Sequence, residues 1–398
     1  MEVRVLSSLD SLSTTDWQEL TANASLYYTH DWLQAVTPDI GEQVLLFTAY
    51  RSGIPVGVIP AFKVSKPTEF VYHNVREAVL EPTQLAEVTS FLFPQQPHTA
   101  FLMAKTAILG LRPLLDSFLF PNLVFTSPFA YVSETLIRPD EPDPEDVLNT
   151  ILNSIEQYSH TQGLGCTAFL WIEATQHQLL SALKRKDYHL IRIDATARLQ
   201  IKWSSFDDYL ATCFRSKHRW HIKREIKCFQ DAGGHIRYHD CWSDIEDQAI
   251  SLAIALQQRH NLQPTYTELA NRYQRILTSL GDRAIHLTAW LDGNLVGFAT
   301  VFVHGDVLYL KHVGFDDTSA NRQSYVYFNL VYYKLIELAL ELGVREIDYG
   351  SGTHEAKRAR GCEIVPLYIA YRFQSPWMER LANLYLPAFH QQKTNRFD

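Results

Sequence analysis

The sequence predicts an α+β protein of two domains, each a mainly antiparallel mixed sheet flanked by helices. Three observations carry that expectation. The chain has 398 residues, more than the ~250–300 at which a single core stops growing. An internal repeat recurs at an offset of 240. In both halves hairpins and short strands outnumber strand–helix–strand units, which favours antiparallel pairing. The border falls near residue 200, giving domains 1–200 and 201–398.

The repeat pairs Thr48-Ala49-Tyr50-Arg51-Ser52-Gly53-Ile54-Pro55-Val56-Gly57-Val58-Ile59-Pro60-Ala61-Phe62 with Thr288-Ala289-Trp290-Leu291-Asp292-Gly293-Asn294-Leu295-Val296-Gly297-Phe298-Ala299-Thr300-Val301-Phe302, six of fifteen positions being identical without a gap. Each copy reads as strand, glycine turn, strand. The turn glycine supplies the positive φ of a tight hairpin. The second glycine, inside a strand, signals a bulge or a close backbone approach.

Taken in order, Thr15-Asp16-Trp17 and Thr29-His30-Asp31-Trp32 start short helices. The first hairpin spans 44–64, and a helix within Phe101–Phe120 is expected next, with strands to Ile137. Pro139-Asp140-Glu141-Pro142-Asp143-Pro144 is a loop leading into a helix at 145–162. Strand 166–171, helix 176–187 and strand 189–201 close the first half. The second opens with one helix from Phe206 to about residue 231, capped by Ser204 or Ser205 and stopped by Gly233-Gly234. Strand 235–241 and helices near 243–260 and 266–280 precede a meander of strands 284–291, 294–304 and 306–315. A helix 324–342 is apolar on most sides, with Lys334, Glu337 and Glu341 on one stripe. Gly343 stops it, strand 344–349 follows, and 364–373 is the last strand of the second domain. A short helix and a polar tail fill 375–398.

With 46% hydrophobic and 20% charged residues the composition is globular, and the net charge of −8 argues against a general nucleic-acid coat. Five scattered cysteines without a C-x-x-C, no basic leader and no apolar run of ~20 residues together predict a cytoplasmic protein without a membrane span. No H-E-x-x-H, Walker or dinucleotide pattern occurs, and Ser351 lies in Gly-Ser-Gly, outside a nucleophile elbow. His235, His239 and Cys241 alternate on one strand, but their spacing suits zinc poorly, so no metal is expected.

Two stretches carry candidate chemistry. Asp348-Tyr349-Gly350-Ser351-Gly352-Thr353-His354-Glu355-Ala356-Lys357-Arg358-Ala359-Arg360-Gly361 gathers polar groups beyond the carboxyl end of a strand, where open sheets place sites. Lys357 can neutralise an oxyanion or a phosphate; a solvated loop is the bland alternative, and it weighs more heavily for His354 and Glu355. On the strand before the long helix, Tyr309, Lys311 and Val313 share one face, and Leu308, Leu310 and His312 the other. His312 is a proton carrier or a satisfied core histidine. The second stretch, residues 215–227, holds six Lys/Arg, two His and one Glu. It is a solvated helix face or the seat of a polyanion.

Residues 206–373 resemble the double-domain GNAT-fold acyltransferases of the Fem type, the peptidoglycan-bridge aminoacyl transferases and their peptidoglycan biosynthesis/recognition relatives. The likeness rests on Phe206-Asp207-Asp208-Tyr209-Leu210 running into Lys217-His218-Arg219-Trp220-His221-Ile222-Lys223-Arg224. It rests also on the hairpin 289–297, and on Leu342-Gly343 with Ile347-Asp348-Tyr349-Gly350, Lys357 and Gly361. It implies two tandem GNAT-like domains and transfer of an acyl or aminoacyl group to a small-molecule or peptide amine, without a covalent intermediate. Lys357 would be the charge partner of the donor carbonyl, and Tyr309, His312 or His354 the proton carrier. Donor phosphates would meet Lys217, Arg219, Lys223, Arg224, Arg322, Ser324, Asn329, Tyr349, Ser351 and Arg358. The first domain would shape an acceptor groove.

No tightly bound cofactor is implied. GNAT enzymes cradle coenzyme A with glycines at a helix start, where this chain reads Asn321-Arg322-Gln323-Ser324-Tyr325-Val326-Tyr327. Aminoacyl-tRNA, through its acceptor end, is therefore the implied donor, with acyl-CoA or an acyl carrier protein as the alternative. A glycan- or peptide-binding module without turnover is the rival of another class. Neither the acceptor nor the oligomeric state is legible.

Overall fold

The structure, a computed structural model, describes residues 1–67, 75–76, 110, 113–260, 262–316, 318, 323–380 and 382. Most of the helix expected in 101–120 and most of the tail expected in 375–398 lie outside the described residues. The chain divides into two compact units, Met1–Asp194 with Pro366–Asp398, and Ala195–Val365. This differs from a single cut at residue 200. The closing strand β13 (Glu363–Phe373) pairs with β6 (Cys166–Glu173) of the first unit, Leu367 against Glu173 through Phe373 against Cys166. Strand pairing is set by shape across the chain, so sequence order could not assign β13.

In the first unit β1 (Glu2–Leu6), β2 (Gln43–Arg51), β3 (Ile54–Val64), β4 (Asn122–Phe125), β6 and β13 lie side by side in that order, and β5 (Leu136–Ile137) pairs with β3. Helices α1 (Thr14–Leu20) and α2 (His30–Val36) start where expected. Ser13 and Thr29 accept hydrogen bonds from the amides of Asp16 and Trp32. The apolar stripe of α3 (Pro144–Thr161), including Val147, Ile151 and Ile155, packs on Phe47, Ile59 and Phe169, together with Leu179 and Leu183 of α4 (His177–Arg185).

The second unit repeats this order. Strands β8 (His235–His239), β9 (Ala284–Leu291), β10 (Asn294–His304), β11 (Val307–Phe315) and β12 (Glu346–Ser351) are followed by the second half of β7 (His189–Gln200). In each unit a hairpin leads to an antiparallel strand. A parallel partner comes next, β4 with β6 or β11 with β12, and an antiparallel strand closes the row.

The helix expected from Phe206 to 231 is two helices. After α5 (Phe206–Cys213) the chain turns extended at Phe214, φ −132 and ψ 145, before α6 (Ser216–Asp231). The break turns the Phe214 ring edge-on to Tyr209, centroids 5.3 Å apart. Helices α7 (Glu246–Arg259) and α8 (Tyr266–Leu280) pack on one face of the sheet through Ile250, Leu269 and Tyr273 against Phe298. On the other face, α9 runs through Val326–Phe328, a π-helical turn Asn329–Tyr333, and Lys334–Leu342. Gly343 ends it at φ +69, and the Val344 amide bonds to the Ala339 carbonyl. No described helix is long and apolar enough to cross a membrane.

The repeat is structural as well as textual. Both turns have two positive φ values, Ser52 +53 and Gly53 +82 in one, Asp292 +47 and Gly293 +80 in the other, as a type I′ turn requires. Both hairpins bulge at the same place. Ala49 faces Gly57 and Tyr50 faces Pro55, leaving Val56 extra; Ala289 faces Gly297 and Trp290 faces Leu295, leaving Val296 extra. The second glycine makes room for a neighbour: a Cβ on Gly57 would lie 2.5 Å from Val147 Cγ1, and one on Gly297 2.9 Å from Phe315 Cδ1.

Beyond their last parallel pairs, too, the units match. Pairing ends at Phe125–Phe169 in the first and Tyr309–Asp348 in the second. Two residues on, Trp171 stands at φ +64 and Gly350 at φ +63. Each sits in a register shift against the closing strand.

Gly57→Ala is expected to lower stability by ~1–3 kcal/mol, because Val147 on α3 is β-branched and cannot swing clear. Urea denaturation checks it, and an unchanged midpoint would show that the glycine was not chosen for space.

Candidate functional site

In the second unit the parallel strands β11 and β12 separate after Tyr309 and Asp348. The end of β12 is turned out of the sheet by Gly350. Its left-handed backbone breaks the strand's alternation, so consecutive carbonyls can face one side. Into that turn comes Lys357 from the short helix α10 (His354–Arg358). Its side chain is 3% exposed, and Nζ donates to the carbonyls of Tyr349, Gly350 and Ser351 at 2.9, 2.9 and 2.7 Å. An ammonium has three donors, and these three carbonyls match them. Lys357 thus holds the turn together. Polarising a bound carbonyl would require it to release one of them.

The neighbours are placed as follows. His354 Nε2 lies 2.8 Å from the Ala195 carbonyl and ties α10 to β7. Tyr349 is buried against Tyr332, and burial pushes its phenol well up; its hydroxyl finds no partner among the described protein atoms. Ser351 pairs with Thr196 on β7, and Arg358 is exposed.

On β11 the expected alternation does not hold. Thr300 faces His312 and Val301 faces Leu310, so Lys311 is an extra, bulged residue. The shift puts His312 on the same face as Tyr309, and Val313 with Leu308 and Leu310 on the other. Period-two reading cannot see an inserted residue. Tyr309 is buried in register with Asp348. The His312 ring is buried and lies 3.9 Å from the Tyr273 ring; desolvation first, then the Lys311 charge, hold it well below the usual histidine range. That is a neutral core histidine.

The residues expected to meet donor phosphates separate into groups. Lys217, Lys223 and Arg224 are exposed on α6, and Arg219 is half-buried with Nη1 donating to the Phe214 carbonyl at 2.8 Å. Trp220 stands among them 57% exposed, with the Arg224 guanidinium 5.6 Å from its ring. At the start of α9, Tyr325 is left-handed at φ +56 and Ser324 is half-buried. Asn329 is buried, with Nδ2 donating to the carbonyls of Tyr325 and Glu225 at 2.9 and 3.2 Å. Arg322 lies outside the described residues.

Two clusters escaped the sequence reading. Arg360 is buried, 3.1 Å from Glu225 Oε2, and packs 3.8 Å over the Phe328 ring; Tyr333 bonds to the same carboxylate, and Tyr209 donates to the Arg360 carbonyl at 2.8 Å. This network fastens α6 to α9 and to the segment after α10. Its one signal was Glu225, the lone acid in the basic stretch. The second cluster is Lys311 with Asp348 and Arg272, whose signal was a lysine inside an apolar strand.

A family model described as FemAB-like, peptidoglycan biosynthesis/recognition, matches residues 116–398, and the chain belongs to that family. Among solved structures it is similar to FemX, at 10% identity over 96% of this chain and 99% of that one, with a TM-score of 0.59. It is also similar to a conserved protein of unknown function from Bacteroides thetaiotaomicron, at 10% identity over 93% and 99%, TM-score 0.53. A tandem GNAT protein from the clavulanic acid biosynthesis pathway matches at 10% identity over 94% and 99%, TM-score 0.46. For the first two, at 10% identity, the likeness is one of fold. The curated proteins contain no match.

Lys357→Met leaves three carbonyls without their donor and should destabilise the protein by about 2–4 kcal/mol. An unchanged urea midpoint would exclude the pin. A pH effect follows from His286, whose ring is buried with Nδ1 3.0 Å from Thr300 Oγ1. Burial, with the His239 charge adding, holds it down at about 4. The unfolded chain takes up the proton near pH 6.5 and the folded one only near 4. Stability therefore falls as pH drops through that window. His286→Gln should flatten the fall in melting temperature; equal slopes would refute the assignment.

Proposed function

We propose that this FemAB-like protein is an N-acyltransferase that forms an amide by direct attack of an amine on an activated acyl donor, with aminoacyl-tRNA as that donor. The observation that carries the reading is the separation of β11 and β12 beside a basic helix. Where two parallel strands part, unpaired backbone groups can align a donor carbonyl. The buried Arg360–Glu225 pair holds α6, with Lys217, Lys223, Arg224 and the exposed Trp220, against the helix that starts next to that opening.

Catalysis of this kind draws on orientation and on hydrogen-bond donors aimed at the oxyanion. Lys357 keeps the turn 349–352 in shape and adds positive charge behind it, while the Gly350 amide donates to Asp348 Oδ1 at 2.7 Å. His354 and Lys357 act here as positioning residues. Three features favour a polynucleotide donor over coenzyme A: the bulky Tyr325, Tyr327 and Phe328 at the start of α9, the internal use of the Asn329 amide, and the cations with an aromatic ring on α6. Such a mix suits phosphates and a stacked base. The family's description, peptidoglycan biosynthesis/recognition, supports an amine of a peptidoglycan precursor as the acceptor.

The test supplies radiolabelled aminoacyl-tRNA or acyl-CoA together with precursor peptides bearing a free amine. Transfer abolished by RNase is the expected result. RNase-resistant transfer from acyl-CoA would replace the donor. No transfer with saturable peptide binding would make the protein a binding module. Replacing Lys217, Lys223 and Arg224 together by Ala should raise the donor KM ~10-fold or more, flatten its salt dependence and leave kcat within a few-fold. An unchanged KM would detach α6 from the donor.

A further inference from the structure

We propose that Lys311 takes the proton from the attacking amine. The assignment rests on the acyl-transfer reading and goes beyond it by naming a base. Lys311 is the bulged residue of β11, one position past Leu310 and two past the last pair with β12. Bulges of this sort re-aim a side chain and recur beside active sites. Here the bulge sets Lys311 at the place where the strands part.

The charged and titratable groups around it come from three elements. Asp348 faces it from β12 and Arg272 from α8, and His312 is its neighbour on β11. Desolvation lowers the Lys311 amine most. The Asp348 carboxylate opposes that and the Arg272 guanidinium adds to it, and the amine is brought down to about 7. Near neutral pH it exists in both forms, as a base of this role requires.

The step balances without a further reactant. The acceptor nitrogen attacks the donor carbonyl while its proton passes to neutral Lys311 Nζ. The tetrahedral intermediate collapses with cleavage of the ester C–O bond, or C–S if the donor is a thioester. The leaving oxygen or sulfur takes the proton back from the Lys311 ammonium. An amide and a free hydroxyl or thiol result, and Lys311 returns to its neutral form.

The experiment has two readouts on the full chain. Competitive acetylation with acetic anhydride across pH, read by mass spectrometry, should half-protect Lys311 near pH 7, and lower still in Asp348→Asn, which loses the carboxylate favouring the charged form. Lys311→Met should then lower kcat by ~10²–10⁴-fold and abolish the acid limb of the pH–rate profile, with donor KM within a few-fold. Wild-type transfer with Lys311→Met activity within threefold overturns this assignment alone. No wild-type transfer from either donor overturns the acyl-transfer reading, and the base with it. If Lys311→Met does not fold, the labelling decides, and a wild-type midpoint above about 9 overturns the assignment.

Discussion

A single buried ammonium holds the end of β12 out of the sheet. Lys357 gathers three consecutive carbonyls that a regular strand would point to alternate sides. With its end so turned, β12 stays paired with β7 while leaving β11. The same turn sets α10 against Ala195 and delivers Arg360 to Glu225, which seats the basic helix. A charge placed so deep is stable only when all its donors are used, and its loss would expose the carbonyls it satisfies.

The two units solve the same packing problem with the same devices and different residues. Each has a type I′ hairpin with one bulge, a glycine that admits a neighbouring side chain, and a left-handed residue past the last parallel pair. At that last position the first unit uses Trp171, buried and edge-on to Tyr131, where the second uses Gly350. A bulky residue tolerates positive φ only where packing compels it. The first unit thus filled with an aromatic side chain the place where the second built a carbonyl cradle.

Polar groups inside the second unit divide by how completely they are matched. Arg360 has a carboxylate, a phenol and an aromatic face, and Lys357 has three carbonyls; both are framework. His286 and His312 are kept neutral under Trp242 and Tyr273. Lys311, half-buried, is brought down to about 7 by desolvation, with the Asp348 carboxylate opposing and the Arg272 guanidinium adding. That balance separates a group poised to exchange a proton from groups that hold the fold.

The sequence by itself determined the α+β class, the duplication, the hairpin turns and most helix starts. Each rests on local chemistry: glycines at positive φ, Ser and Thr at helix N-termini, apolar periodicity. It also marked residues 348–361 and 215–227 as the places to look. Tertiary structure alone decided that β13 closes the first unit, because strand partners lie far apart in the chain. It decided that Lys357 spends its protons on carbonyls, since three acceptors meet there only after the Gly350 turn. The bulge at Lys311 was likewise invisible: one inserted residue is defined by the partner strand it fails to match, and no pattern within β11 records it.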